Sequence, residues 1–153
     1  MSATLHPSAY RAPAWLPDGH SQTIYPALCL GGARPAYQRE RWATPDGGEI
    51  TVDRLPGRQG MPLLWLLHGL EGGSDSHYAR ALMRAAQARG WHGVVSHFRG
   101  CGGAVNTLPR AYHASDSAEV VWLLARLASE RRPRCAVGVS LGGNMLLKHL
   151  GEA

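Results

Sequence analysis

The feature that most constrains the fold is a serine flanked by two glycines, each two positions away. Ser140 lies between Gly138 and Gly142, after the apolar run 134–139 and before a helical pattern over 141–150. Small residues at these positions let the backbones of a strand and a helix nearly touch while the serine side chain stays exposed. The stretch therefore predicts a sharp strand-to-helix turn of the nucleophile-elbow type. Ser140 is the candidate nucleophile, with Gly138 and Gly142 as the elbow glycines.

Upstream of this turn, apolar runs of strand length alternate with helical patterns. Strands are predicted over 37–43, 49–55, 62–67 and 91–98, and helices between 74–90 and between 116–133. The turn sequence 44–48 predicts an antiparallel hairpin between the first two strands. The later runs, including 134–139, are continuously apolar, as expected of parallel strands buried on both faces. We therefore predict an α/β fold in which a hairpin leads into a parallel sheet with flanking helices.

The first 36 residues show no clear period. They are rich in proline and glycine, with Trp15, Ile24, Tyr25 and Leu28 as isolated apolar residues. We predict an irregular N-terminal arm over 1–36 that rests on the core through these side chains. Residues 37–153 form the α/β part of the chain.

Composition excludes several classes of protein. The 153 residues are 44% hydrophobic and 18% charged, which fits neither a disordered nor a fibrous chain. The net charge is +5, but the one dense basic run, 131–134, has no interleaved aromatic residues, so we expect no nucleic-acid partner. Three cysteines without a C-x-x-C pair indicate a reducing compartment, and no apolar run is long enough for a membrane span. The predicted location is the cytoplasm.

A second loop supports the interpretation of Ser140. Residues 68–73 (HGLEGG) follow the buried run 62–67, and parallel neighbours present their carboxyl ends to one crevice. Attack by a serine on a carbonyl needs two N–H donors for the oxyanion. The backbone amides of Leu70 and Leu141 are the predicted donors.

The spacing of residues does not fit a nucleotide-binding or a metal-binding motif. Residues 100–105 place Val105 where a dinucleotide fingerprint needs a glycine, and no Gly-Lys-Ser/Thr sequence follows Gly69. The histidines show no metal-ligand spacing, so we predict neither a metal nor another cofactor. Cys101, beside Arg99, is either a thiol of low pKa or a small loop or core residue.

Several blocks of sequence resemble one family. They are residues 19–24 (GHSQTI), 44–47 (TPDG), 68–72 (HGLEG), 90–91 (GW), 97–101 (HFRGC), Asn106, 112–113 (YH) and 139–144 (VSLGGN). In this order and spacing they resemble the YheT family of α/β-hydrolases, related to the animal ABHD1 and ABHD3 group. The resemblance implies a hydrolase of carboxylic esters, with short- or medium-chain acyl esters or acylglycerols as small-molecule substrates. The animal relatives carry an N-terminal membrane anchor, which we do not expect in this protein.

The resemblance also implies that two catalytic residues of the family are not among these 153 residues. The family's charge-relay Asp and His lie in a C-terminal half beyond Ala153. His149 is nine residues along the helix, roughly 13 Å from Ser140, and His68 would reverse the usual order of the three residues. We therefore expect the N-terminal half of such a hydrolase, truncated after the helix that follows Ser140 and nearly inactive alone. The alternative is a non-catalytic interaction module that associates, with itself or a partner, through an open sheet edge.

Overall fold

The computed structural model describes residues 8–152, in which helices and strands alternate after an opening hairpin. The elements are α1 (Gly19–Cys29), β1 (Gln38–Ala43), β2 (Glu49–Leu55), β3 (Leu63–Leu67), α2 (His77–Ala88), β4 (His92–Ser96), α3 (Ser117–Ala128), β5 (Arg134–Gly138) and α4 (Leu141–Glu152). The predicted α/β class and all five predicted strands are confirmed.

One mixed sheet holds these strands in the order β1-β2-β4-β3-β5. The hairpin pairs β1 with β2, and β2 runs antiparallel to β4. The centre is parallel: Leu64 of β3 stands beside Gly93 of β4 on one side and Cys135 of β5 on the other. Because parallel strands end at the same edge, the loops after β3, β4 and β5 meet there.

The core lies on both faces of β3, whose five residues are all buried. Leu63, Trp65 and Leu67 face a cluster that includes side chains of α3 and α4, whereas Leu64 and Leu66 face the cluster that includes α2. This alternation is the period-two side-chain pattern of a strand covered by helices on both faces. The fully buried strand thereby fixes the position of the loop that follows it.

The prediction that residues 134–139 form a buried strand is wrong on burial. Arg134, Cys135 and Ala136 of β5 are exposed, and the last two residues of the strand are only partly covered. In the described part of the chain, β5 is an edge strand that pairs with β3 alone. An apolar run predicts a strand, but the number of neighbours decides how much of it is covered.

The prediction of an irregular arm over 1–36 missed α1. Asp18 starts this helix by accepting a hydrogen bond from the Ser21 N–H at 2.9 Å. No residue of α1 is buried, and Trp15, Ile24 and Leu28 are more than half exposed, so their predicted role as core anchors is also wrong. Residues 1–7 of the predicted arm lie outside the described residues, and the division into an arm and a main domain stays a prediction.

Candidate active site

Ser140 occupies a strained turn between β5 and α4. Its φ is 51°, in the left-handed region that residues with a side chain rarely adopt, and the residue is exposed. Such a conformation costs on the order of 1–2 kcal/mol, so it persists only where the surrounding structure enforces it. The serine side chain therefore projects from the sheet edge at which the parallel strands end.

The two flanking glycines show what enforces the turn. A Cβ at residue 138 would lie 2.5 Å from the Gly142 carbonyl oxygen, and a Cβ at residue 142 would lie 2.7 Å from the His68 carbonyl oxygen and closer still to that of Leu67. Both distances are shorter than any real Cβ contact, so only glycine fits. The first residues of α4 are thereby pressed against the end of β3.

The loop after β3 runs directly beside this turn. A Cβ at residue 69 would lie 3.5 Å from the Ser140 Cβ, which is ordinary van der Waals contact. Gly69 is held by three hydrogen bonds: its N–H donates to the Tyr78 hydroxyl at 3.1 Å, and its carbonyl oxygen accepts from Gly72 N–H at 3.0 Å and is 2.7 Å from His68 Nδ1. Because a peptide's C=O and N–H point in opposite directions, fixing the Gly69 carbonyl also fixes the direction of the Leu70 N–H.

Leu141 is the first residue of α4, so its N–H belongs to the helix N-terminus, where backbone donors have no partner within the helix. The positive end of the helix dipole favours an anion at this position. The predicted pair of donors, Leu70 and Leu141, thus comes from the loop after β3 and the N-terminus of α4, at one sheet edge.

His68 is a structural residue. Its Nε2 accepts the Phe98 N–H at 3.1 Å, which leaves Nδ1 as the donor to the Gly69 carbonyl. The residue is fully buried, and burial lowers its pKa to about 4, so the ring is neutral at neutral pH. With both nitrogens engaged, His68 has no free lone pair with which to take a proton from Ser140.

A buried polar network behind the loop was missed by the sequence analysis. Asp53 on β2 accepts two hydrogen bonds from Arg39, at 2.7 and 2.8 Å, one from His97 Nε2 at 3.0 Å, and one from the Ser74 hydroxyl. Burial opposes ionisation of Asp53, but these hydrogen bonds outweigh it and hold the pKa of the carboxyl well below its usual range. The only sequence signal is an acidic residue within a predicted strand, which does not identify its partners.

The other candidate chemistries find little support. Cys101 is buried, and burial raises the pKa of its thiol, so it is the small buried residue and not the reactive thiol. Residues 8–152 contain no group of three His, Cys, Asp or Glu side chains arranged to hold a metal ion. No helix in the same range is long and apolar enough to cross a membrane.

A family model described as the alpha/beta hydrolase fold matches residues 62–152, from β3 through α4. The chain belongs to the α/β-hydrolase family. Its resemblance to the YheT group is supported by an Escherichia coli relative, YheT, which is 42% identical over 132 residues, covering 83% of this chain. The human protein named phospholipase ABHD3 is 28% identical over 153 residues and 94% of this chain. A Picea glauca protein named embryogenesis-associated protein EMB8 is 35% identical over 94% of the chain.

This α/β-hydrolase chain spans between a third and two fifths of the relatives' lengths: 39% of the Escherichia coli protein, 34% of the Picea glauca protein and 37% of the human one. Solved α/β-hydrolases share its fold. Mouse alpha/beta hydrolase domain-containing protein 10 superposes with a TM-score of 0.59 at 20% identity, over 72% of this chain and 42% of the mouse chain. An esterase from Pyrococcus furiosus gives 0.59 at 18% identity, over 76% and 47%.

Proposed function

We propose that the protein hydrolyses carboxylic esters and that Ser140 is its nucleophile. The observation that carries the proposal is the left-handed, exposed Ser140 at the β5–α4 turn, with Gly69 so close that a Cβ there would contact the Ser140 Cβ. The Ser140 hydroxyl oxygen attacks the ester carbonyl carbon while a base takes its proton. The alcohol then leaves with a proton, and water hydrolyses the acyl-serine to release the acid.

We propose the backbone amides of Leu70 and Leu141 as the donors to the oxyanion that forms during attack. Two features support this role: the Gly69 carbonyl is fixed by hydrogen bonds, and Leu141 begins α4. Donors that are already in place lose no reorganisation energy as charge develops on the oxygen, which is why such sites contribute strongly to the rate.

We place the general base and its carboxylate outside these 153 residues. His68 has both ring nitrogens engaged, and His149 stands in the last turn of α4, roughly 13 Å from Ser140 at 1.5 Å per residue. His97 already pairs with Asp53 behind the loop. The chain by itself is therefore expected to react slowly.

For substrates, we propose short- or medium-chain acyl esters or acylglycerols. The names of two relatives support this class: phospholipase ABHD3 and a Saccharomyces cerevisiae monoacylglycerol lipase, which is 27% identical over 118 residues. Both names describe enzymes that act on lipids.

The proposal can be tested with a serine-directed fluorophosphonate probe and p-nitrophenyl butyrate. We would compare the chain with a version extended by the Escherichia coli YheT segment that follows the matched region. The extended protein should label at Ser140 and turn over the ester, and Ser140→Ala should abolish both. Ser129→Ala, which removes a surface hydroxyl bonded to Arg126, is the matched control. Labelling that survives Ser140→Ala would refute the assignment. Robust turnover by the short chain would place the base within it.

A second candidate function is association through β5. This strand has one neighbour in the described sheet and exposes three of its five residues, and unpaired strand edges bind other strands. Light scattering that shows a stable oligomer, together with an extended protein that never labels, would favour this function over catalysis.

A further inference from the structure

The loop after β3 is exposed at Leu70, the residue whose N–H is the proposed oxyanion donor. The Leu70 side chain is 68% exposed, and the next residue, Glu71, has a φ of 52°. The hydrogen bonds described above close the turn 69–72 and tie Gly69 to Tyr78, but none of them engages Leu70 or Glu71. A displacement of only about 1 Å at a catalytic group lowers rates by up to about a hundredfold, so this part of the loop needs its own anchor.

Tyr112 provides that anchor. Its hydroxyl donates to Glu71 Oε1 at 2.5 Å, across 41 residues of sequence. The hydrogen bond to Glu71 raises the pKa of Tyr112 to about 12, so the phenol keeps its proton at neutral pH and remains a donor. A charged acceptor makes this bond stronger than one between neutral groups.

The Tyr112 ring is itself held in place. It stacks on Phe98, with ring centroids 5.1 Å apart and an angle of 18° between the rings. Phe98 is 2% exposed and lies against the His68 ring, with centroids 4.4 Å apart. The hydroxyl that holds Glu71 therefore projects from a rigid part of the molecule.

Three residues further along, the same segment contacts the helix that follows Ser140. Ser115 donates to Asn144 Oδ1 from its N–H at 2.9 Å and from its hydroxyl at 3.3 Å. Lys148 Nζ donates to the Ser115 carbonyl oxygen at 3.1 Å. Ser115 has a φ of 69°, a conformation that these contacts must maintain.

We propose that residues 112–115, the strap, tie the two halves of the oxyanion site together, and that Tyr112 and Ser115 are positioning residues for the Leu70 and Leu141 amides. The inference rests on the proposed function of Ser140. One end of the strap holds Glu71, next to Leu70, and the other holds Asn144, one turn of α4 beyond Leu141. Because the two contacts act in series, release of either end removes the coupling between the two donors.

The first test replaces Tyr112 by Phe, which keeps the ring stacking and removes the hydroxyl. In the full chain, 15N relaxation should show increased motion of residues 70–72, while the unfolding midpoint stays close to wild type. In the extended protein, fluorophosphonate labelling of Ser140 should slow about tenfold, since the donor is displaced and not deleted. Hydrolysis should lose kcat with KM unchanged, because the oxyanion forms only during attack.

Two control variants distinguish loss of the strap's contacts from a general loss of structure. Glu71→Gln keeps an oxygen that accepts from Tyr112 and should retain most of the labelling rate. Tyr10→Phe removes another tyrosine hydroxyl bond, the one to Gln22 at 2.8 Å on the exposed N-terminal segment, and should change nothing. Unchanged motion of residues 70–72 in Tyr112→Phe would overturn the inference. So would increased motion with an unchanged labelling rate. If the extended protein never labels at Ser140, the proposed function fails, and the relaxation result alone decides whether the strap holds the loop.

The second test is a double-mutant cycle between Tyr112→Phe and Asn144→Ala in the extended protein. Contacts in series predict strong non-additivity, so the double variant should label within about twofold of the slower single variant. If the two single effects multiply, the two ends act independently and the strap does not couple them.

Discussion

Adding one methyl group at residue 142 tests how closely the turn at Ser140 packs against β3. Gly142→Ala places a Cβ 2.7 Å from the His68 carbonyl oxygen, and backbone atoms of a buried strand end cannot move aside cheaply. We expect a loss of about 2–3 kcal/mol in the free energy of unfolding, the upper range for overpacking, measured by urea denaturation.

Gly151→Ala is the matched control for this prediction. Residue 151 lies in the same helix, and a Cβ there has open space around it. The substitution should leave stability unchanged or raise it by up to about 1 kcal/mol, since alanine is the better helix former. Equal effects of the two substitutions would show that helix propensity, and not the contact with β3, explains Gly142.

His68 gives the fold a defined dependence on pH. Its pKa is lowered by burial from about 6.5 to about 4 in the folded chain, so between these values the unfolded chain binds more protons. Stability contributed by the neutral ring is complete above pH 6.5 and is lost as pH falls to 4. The loss amounts to roughly 3 kcal/mol at about 1.4 kcal/mol per pKa unit.

The measurement is a set of urea unfolding curves between pH 4 and pH 8, compared with those of His68→Gln. Glutamine keeps a polar side chain that can donate or accept a hydrogen bond at this position, but it does not titrate. The difference between the two stability curves should therefore change across pH 4–6.5 and be flat above it. A constant difference over the whole range would refute the assignment of this dependence to His68.

The helices α1 and α3 both begin with an aspartate cap, but only α3 buries side chains in the core. Asp116 caps α3 by accepting the Glu119 N–H, is itself 4% exposed, and accepts two hydrogen bonds from Arg110 at 2.8 and 2.9 Å. Four residues of α3 are buried, among them Val120 and Leu123. Asp116→Ala should lower the free energy of unfolding by about 2 kcal/mol, the upper value for loss of a cap, as measured by urea denaturation.

Asp18→Ala is the comparison, since Asp18 caps α1 in the same way but that helix buries no residue. Its loss should fray α1 locally, visible as a small decrease in helical circular dichroism, without moving the urea midpoint. A shift of the midpoint as large as that of Asp116→Ala would mean that α1 belongs to the cooperative core after all.

For the whole molecule, the open side of β5 is the structural feature with the largest expected consequence. Leu63 N–H donates to the Pro133 carbonyl, and Val139 N–H donates to the Leu67 carbonyl. The backbone N–H and C=O groups of odd-numbered residues along β5 therefore point toward β3. The backbone groups of Ala136 therefore point away from β3, toward the open edge. We expect the chain to self-associate through this edge.

Ala136→Pro tests this expectation, because it removes the outward N–H and leaves the bonds to β3 intact. Sedimentation velocity should show a concentration-dependent oligomer for the wild-type chain and a monomer for the variant. Leu147→Lys, at an exposed position on α4, is the control that changes surface hydrophobicity without touching the edge. If the control disperses the oligomer and Ala136→Pro does not, the association runs through the helix surface instead.

Local sequence was sufficient for most of the secondary structure. The hairpin and the boundaries of β2 follow from turn residues and alternation, which depend on neighbours within a few positions. The α1 helix was missed because its apolar residues are not arranged for burial, and burial is the signal that periodicity detects. The exposure of β5 was missed because it depends on how many strands lie beside it.

The sequence by itself determined the α/β fold, the turn at Ser140 and the need for glycine at 138 and 142, because a sharp strand-to-helix turn allows few residue types. Only the tertiary structure decided that His68 is buried with both nitrogens engaged, that Asp53 collects four hydrogen bonds, and that Tyr112 reaches Glu71. Apart from the contact between His68 and the adjacent Gly69, these hydrogen bonds join residues 14 to 44 positions apart. Chain packing sets such pairings, and no local pattern records them.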